Sequence, residues 1–456
     1  MLDKKKLNFV DIVKTVKTRG TFLRNSLIMS AGAGLGVVLQ IVFTPVLSRI
    51  YSPEVYGHFA VYNLLLDHFV MFVGLALTDA LLVPKKMQDF YALAKTIIYS
   101  TLIGLVLFIA VLALFKDRIF GQFFNITNVS WYLFLIPGGI LYALHQIFSA
   151  WNIRFKKFSK NARAIFLSNF ISRLFALVFG LFNPSALAFV GSAVSGQLFS
   201  LPFLAGSKML KVIFGNFKRL SLKSLGQVLV DYKQYPLYIF PGNFMNRFSH
   251  SIPIWVLGLY FSPSKIGVYF FAVNLLNLPL NVIGNALRPV FLQKAFELRN
   301  NRKRLQQMTK EVFYRLFFIG IPFLLILIIF GDLLFQVIFG DDWIESGLIA
   351  SILATGFFFQ LISSPLSGLR RVLNKEREEF ILQIFFVVIR STMFIYAFFD
   401  SNFIHLVIFY GIINTLIYIV NTVDNFRLVG ASLLKISLII LITIVFISSI
   451  LAFKFQ

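Results

Sequence analysis

"YSPEVYGHFAVYNLLL" (residues 51–66) returns as "FSPSKIGVYFFAVNLLN" (residues 261–277), and the interval between the two copies organises the rest of the chain. Each copy holds Ser-Pro, a glycine four residues after the proline, an aromatic two residues further on, and then Asn-Leu-Leu. The offset is 210 residues at the proline and 211 at the asparagine. A lone Ser-Pro turn recurs by chance. A turn, a glycine and Asn-Leu-Leu recurring in order at equivalent places mark a duplicated unit.

The surrounding sequence says what is duplicated. Of 456 residues, 58% are hydrophobic and only 14% charged, with a mean hydropathy of +0.81. No water-soluble fold of this size needs so little polar surface. Thirteen apolar stretches lie near 26–48, 58–82, 93–115, 130–151, 162–182, 185–206, 236–261, 267–290, 311–331, 346–369, 380–399, 403–423 and 434–453. Each is close to the roughly 20 residues a helix needs to cross a bilayer core about 30 Å thick. The fold class is therefore an all-α polytopic membrane protein of 12–14 transmembrane helices, and barrels are excluded.

Six spans separate the two copies, an even number, so the halves run in the same direction, as parallel repeats do. The expected organisation is an amphipathic cytoplasmic segment (1–25), a first six-helix lobe (26–206), a cytoplasmic linker (207–235), a second six-helix lobe (236–424), and a C-terminal segment (425–456) with one trailing helix. Residues 1–24 lack a continuous apolar core and so are not a cleavable signal peptide. Phe9, Ile12, Val13 and Val16 share one face there, as in an interfacial helix.

A net charge of +24 raises nucleic acid as a partner, and the placement of the charge removes it. With the N-terminus cytoplasmic, the inner segments and their flanks carry 35 of the 43 Lys and Arg residues. The outer segments hold Arg49, Lys116, Arg118, Lys265 and Lys454. This is the positive-inside asymmetry of a multi-pass membrane protein, and it fixes the orientation. With no cysteine there is neither a disulfide framework nor a thiolate metal site, and no metal or cofactor is expected.

Three arginines remain, all mid-span: Arg173, Arg247 and Arg390. A guanidinium at that depth costs about 2.5–3.5 kcal/mol unless it faces water, a partner or a ligand. Asn243, Asn246, Arg247 and His250 fall at i, i+3, i+4 and i+7, one stripe of a helix. In the next span Asn274, Asn277, Asn281 and Asn285 repeat the pattern and end near Arg288. Asn169 precedes Arg173 by one turn, and Gln360 heads a stripe with Ser363, Ser364 and Ser367. The acids are fewer: Asp67 is deep in the second span, one turn after Asn63, and Asp79 is nearer its inner end.

Such stripes also serve as hydrogen-bonding glue between helices, and Asp67 could equally pair with an arginine or couple transport to an ion. The surplus of arginine over acid points to an anionic visitor. Guanidinium grips phosphate through bidentate, charge-assisted hydrogen bonds, and amides grip hydroxyls with both donors and acceptors. The combination suits a phosphate or diphosphate joined to a sugar-like portion.

Enzyme signatures are missing: no Gly-rich phosphate loop, His-Glu-x-x-His or nucleophile elbow is present. "GDDW" at 340–343 looks like a glycosyltransferase acidic motif, but it sits in a short outer loop where nucleotide sugars are absent. Two further readings are a drug/cation antiporter, which calls for buried carboxylates, and a membrane glycan polymerase or ligase, which calls for a substantial outer loop.

"LSRIYSPEVYGHFAVYNLLL", "WNIRFKKFSK" at 151–160, the run 235–291 around "NFMNRFSHSIPIW", and "VIFGDDWIESGLIASILATGFFFQLISSPLSGL" at 337–369 together resemble bacterial polysaccharide flippases of the O-antigen type. These belong to the multidrug/oligosaccharidyl-lipid/polysaccharide (MOP) exporter superfamily. The resemblance implies a two-lobed helical fold and a monomeric unit that moves an undecaprenyl-diphosphate-linked glycan between leaflets of membrane lipid. Coupling to H+ or Na+, and cooperation with a polysaccharide polymerase and chain-length machinery, are implied with it. Arg173, Arg247 and Arg390 would be lumen cations, with Asn246 and the asparagines of the eighth span beside them. One departure stands out: "LALTDALLVPKK" replaces the Arg-Tyr-Glu type of sequence expected there, leaving Asp79 as the acid for coupling.

Overall fold

The computed structural model describes residues 22–126, 130–217 and 222–454. The interfacial segment expected at 1–25 lies outside the described residues up to residue 21. Thirteen long helices and two short linker helices follow, with no strand among the described residues. The first six long helices are α1 (Phe22–Ile50), α2 (Pro53–Gly74), α3 (Met87–Lys116), α4 (Leu135–Arg154), α5 (Phe158–Phe182) and α6 (Ala186–Leu204). The linker forms α7 (Ser207–Phe217) and α8 (Leu222–Asp231). Then come α9 (Phe240–Tyr260), α10 (Pro263–Leu298), α11 (Arg302–Phe339), α12 (Ile344–Leu366), α13 (Glu376–Phe399), α14 (Phe403–Leu428) and α15 (Leu433–Lys454).

Backbone groups in lipid have no water to bond, so apolar runs satisfy them internally as helices. The ends are written locally. Ser52 and Ser262 are extended, and the proline after each, with φ already set for a helix, opens α2 and α10. Asn402 accepts from the backbone N–H of Ile404 and His405 to start α14. Among the described residues, ten helices are long and apolar enough to cross a membrane. The described apolar part of α1 is shorter, Gly34–Ile50, and α2 and α9 fall below that apolarity because they carry the polar stripes. Several helices overrun the expected spans: the 36 residues of α10 measure about 54 Å at 1.5 Å per residue, well beyond a bilayer core.

The packing partners recur between the halves. In the first six helices α1 packs on α5, α5 on α6, α4 on α6, α2 on α4 and α3 on α4. The second six repeat the scheme: α9 on α13, α13 on α14, α12 on α14, α10 on α12 and α11 on α12. Between the sets the broadest contact is α2 against α10, the two helices that open with the repeated Ser-Pro. The trailing α15 packs on α14 and α11, where Lys454 pairs with Asp332 at 2.8 Å. Ile213, Leu225 and Val228 of the linker join a core cluster with Phe90, Leu93 and Ile97 of α3, so α7 and α8 ride on the first six helices.

A clasp seals the Ser-Pro end of the α2–α10 contact. Trp343, fully buried, donates its indole N–H to the Ser48 carbonyl at 2.8 Å and stacks on Phe271 with ring centroids 3.9 Å apart. Tyr56 meets the same indole edge-on, and the Ser48 hydroxyl donates to the Phe339 carbonyl at 3.1 Å. Gly340, at φ 106°, makes the left-handed turn that aims Trp343 inward. The "GDDW" loop thus has a structural post: it ties α11 and α12 to the end of α1.

Candidate functional site: a polar cleft between the helix sets

Away from the clasp, a polar cleft with two chambers lies between α2 and α10. The chamber nearer the clasp measures about 300 Å³ and is lined by Gln40 and Thr44 of α1, Asn63 of α2, Asn169, Ser172 and Arg173 of α5, and Asn274 of α10. Its roof is aromatic: Tyr56, Phe59 and Phe189 face Phe270 and Phe271, with Phe59 and Phe270 edge-on at 6.0 Å. The further chamber is larger, about 660 Å³, and draws on Thr78, Asp79, Tyr142, Asn243, Asn246, Arg247, His250, Asn281 and Arg288. Here Asn243, Asn246, Arg247, His250, Asn281 and Arg288 are all exposed, so this end is open to water.

The helical periods explain the lining. Seven residues, two turns, carry α10 from Asn274 in the first chamber to Asn281 in the second, and seven more reach Arg288. Asn277 is half-buried between them and lines neither chamber. The side chain of Asn285 lies outside the described residues. Helix α2 makes the same descent from Asn63 through Asp67 to Met71 and Gly74. It then breaks at Leu75 and Ala76, both left-handed at φ 44° and 56°, a conformation costing about 1–2 kcal/mol per non-glycine residue. The break turns Thr78 and Asp79 back into the larger chamber.

The three arginines, expected from the sequence in one cationic cavity, stand in three different places. Arg247 sits in the open chamber with Asp67 at 3.5 Å, and both side chains are about half exposed, 56% and 48%. Arg173 sits partly buried in the smaller chamber, where its Nη1 donates to the Asn169 carbonyl at 3.0 Å and to its side-chain Oδ1 at 2.9 Å. Arg390 lines neither: at 2% exposure it donates to Ser249 Oγ at 2.8 Å and Asn414 Oδ1 at 2.9 Å, beneath the Tyr418 ring. Helical spacing places a residue on a face, but the neighbouring helix decides what that face meets. α13 turns Arg390 into the joint with α9 and α14. Gln360 likewise lines neither chamber, and Ser363 of its stripe accepts from Asn421, the glue role.

Charge is distributed unevenly. In the open chamber Arg247 and Arg288 are offset by Asp67 and by Asp79, which accepts from the Asn243 amide at 3.1 Å. Around Arg173 no carboxylate lies within ion-pair distance among the described residues. Sequence reasoning missed Gln40, Thr44, Ser172, Thr78 and Tyr142 as lining residues. Gln40 and Thr44, one turn apart inside the apolar run of α1, were the readable signal.

Against the opposite flank of α2 and α9, an apolar groove of about 690 Å³ lies between those helices and α3, lined by Phe69, Phe72, Leu107, Phe108, Phe244 and Phe248 among others. Phe72 meets Phe240 and Phe244 at ring distances of 5.6 and 4.9 Å, so a layer of aromatic rings separates the groove from the polar chamber.

Two six-helix sets about a polar cleft, in a chain with ten helices able to cross a membrane, define a multi-pass membrane protein with the fold of the MOP superfamily. An inward-facing conformation of a multidrug resistance MATE family transporter of that superfamily aligns with 93% of this chain and 98% of its own, at a TM-score of 0.65 and 12% identity. The lipid II flippase MurJ in an inward closed conformation aligns over 91% and 93%, at 0.67 and 14% identity. An outward-facing MATE transporter aligns over 90% and 97%, at 0.54 and 12%. The polysaccharide biosynthesis protein family matches residues 46–348, and the chain belongs to that family. No curated protein matches it.

Proposed function

We propose that the chain is a flippase carrying an undecaprenyl-diphosphate-linked oligosaccharide from the inner to the outer leaflet of the bacterial cytoplasmic membrane, for surface polysaccharide assembly. The observation that carries the reading is the open chamber, where Arg247 and Arg288 stand among Asn243, Asn246 and Asn281. Arginines there hold the diphosphate and the amides take sugar hydroxyls. At an effective dielectric near 20 and about 5 Å, one charge pair gains roughly 3 kcal/mol, enough to hold a diphosphate and still release it.

With the N-terminus cytoplasmic, the clasp lies outside and the larger chamber opens inward. The lobes, 26–206 and 236–424, rock against each other about the α2–α10 contact, and the linker moves with the first. The apolar groove beyond the Phe72–Phe244 layer keeps the prenyl chain in lipid while the head group occupies the chamber. Asp67 and Asp79 are the carboxylates available to couple the cycle to H+ or Na+. The transport unit is one chain, feeding a polysaccharide polymerase and chain-length machinery.

A drug/cation antiporter is the second reading, favoured by those same two carboxylates at the cleft. Reconstitution decides: proteoliposomes should expose a fluorescent prenyl-diphosphate oligosaccharide to an enzyme confined to the opposite side. Ion-driven extrusion of a cationic dye with no movement of the lipid would establish the antiporter instead.

A further inference from the structure

The smaller, partly buried chamber holds an uncompensated cation that the loading step at Arg247 and Arg288 leaves unused. Arg173 spends Nη1 on Asn169, while its Nη2 and Nε donate to no described residue, which leaves the geometry for a bidentate grip on an oxyanion. Asn63, Ser172 and Asn274 stand round the same space with hydroxyl and amide donors. At about 300 Å³ the space is at the small end of ligand pockets, with room for a phosphate group and what is joined to it. Asn274 and Asn281 are two turns apart, so the chambers are offset by about 10 Å along α10.

Between them stands Asp67, one turn from Asn63 and paired with Arg247. An anion in the open chamber competes with Asp67 for Arg247. Once the anion has moved on, Arg247 recovers Asp67 and the negative charge behind the anion opposes its return. We propose that the Arg173 chamber is a second phosphate subsite, filled after the Arg247–Arg288 chamber and before the clasp opens. This rests on the flippase reading for its place in the cycle but not for its chemistry.

Two arms test it on the full chain in nanodiscs and proteoliposomes. In the binding arm, inorganic pyrophosphate and farnesyl diphosphate are titrated against wild type, Arg173→Ala and Arg247→Ala by phosphorus NMR. The wild type should show two classes of pyrophosphate site, and each variant should lose a different one. Farnesyl diphosphate reaching both sites assigns them to a lipid-linked phosphate; pyrophosphate alone reaching the Arg173 chamber assigns that one to free phosphate. In the transport arm Arg173→Ala should cut the maximal rate about tenfold, the worth of one charge-assisted contact, with half-saturation little changed, and Arg173→Lys should restore part of it. Arg247→Ala, which removes the loading site, should abolish transport instead.

A single class of site in the wild type, or an Arg173→Ala titration and rate equal to wild type, overturns the proposal. Should Arg173→Ala not fold, Asn274→Leu takes its place with the same two readouts. A wild type that binds two pyrophosphates yet moves no lipid sinks the flippase reading and leaves the subsite standing.

Discussion

Gly57 and Gly267 hold reciprocal positions: Gly57 abuts the carbonyl oxygen of Pro263, and Gly267 abuts that of Pro53, so closely that a Cβ on either glycine would overlap the oxygen. Each repeated Ser-Pro-x-x-x-Gly thus supplies both a proline carbonyl and the glycine that accommodates its counterpart. Small residues let helix backbones approach where side chains would hold them apart. At this crossing the backbones of α2 and α10 touch, and the clasp at Trp343 closes over it.

Gly57→Val or Gly267→Val should therefore prevent the crossing from closing. The chain has no cysteine, so one introduced at Asn63 reports on the smaller chamber without background. It should react with an impermeant thiol reagent from the clasp side in the valine variants and resist it in the parent. Protection equal to the parent would show that the crossing does not form the seal.

Trp343→Phe keeps the ring packing on Phe271 and removes the bond to the Ser48 carbonyl. One hydrogen bond is worth about 1 kcal/mol net, so the clasp-closed fraction should fall about fivefold in ratio. The same Asn63 cysteine measures it, as a rise in labelling rate smaller than that caused by valine at Gly57.

Arg247→Ala should abolish transport and Arg247→Lys should keep part of it, because lysine retains charge but not the bidentate fork. Asp67→Asn should have the opposite effect on binding. The Arg247–Asp67 pair is half exposed and worth at most about 1 kcal/mol, so releasing Arg247 should tighten pyrophosphate binding by up to about fivefold. Normal transport by Arg247→Ala at equal expression would remove Arg247 from the site.

Arg390→Ala leaves Asn414 Oδ1 and Ser249 Oγ facing each other in a buried joint without their donor. Stability should fall by about 1–3 kcal/mol, read as a lower midpoint of thermal unfolding in detergent. Pyrophosphate affinity of the folded fraction should stay at the parent value. A loss of affinity with unchanged stability would return Arg390 to the binding site.

The membrane class, the helix count and the polar faces of α2, α9 and α10 were all readable, because hydropathy and the 3.6-residue period depend on the chain alone. Asn243, Asn246, Arg247 and His250 form one stripe on paper and line one chamber in the structure. The fate of each arginine was not readable. Arg173, Arg247 and Arg390 look alike as mid-span cations, yet they end in the smaller chamber, the larger one and a buried joint. The "GDDW" loop shows the same limit, since its tryptophan acts on Ser48, 295 residues away.

The sequence by itself determined that the chain lies in a membrane, that it repeats, and which helical faces are polar, since each follows from transfer energies and periodicity along one chain. Only the tertiary structure decided which cation keeps an acid at its side, which stands alone, and which end of the cleft is shut. Those outcomes depend on which helix each face meets, and that is settled by packing between residues hundreds of positions apart.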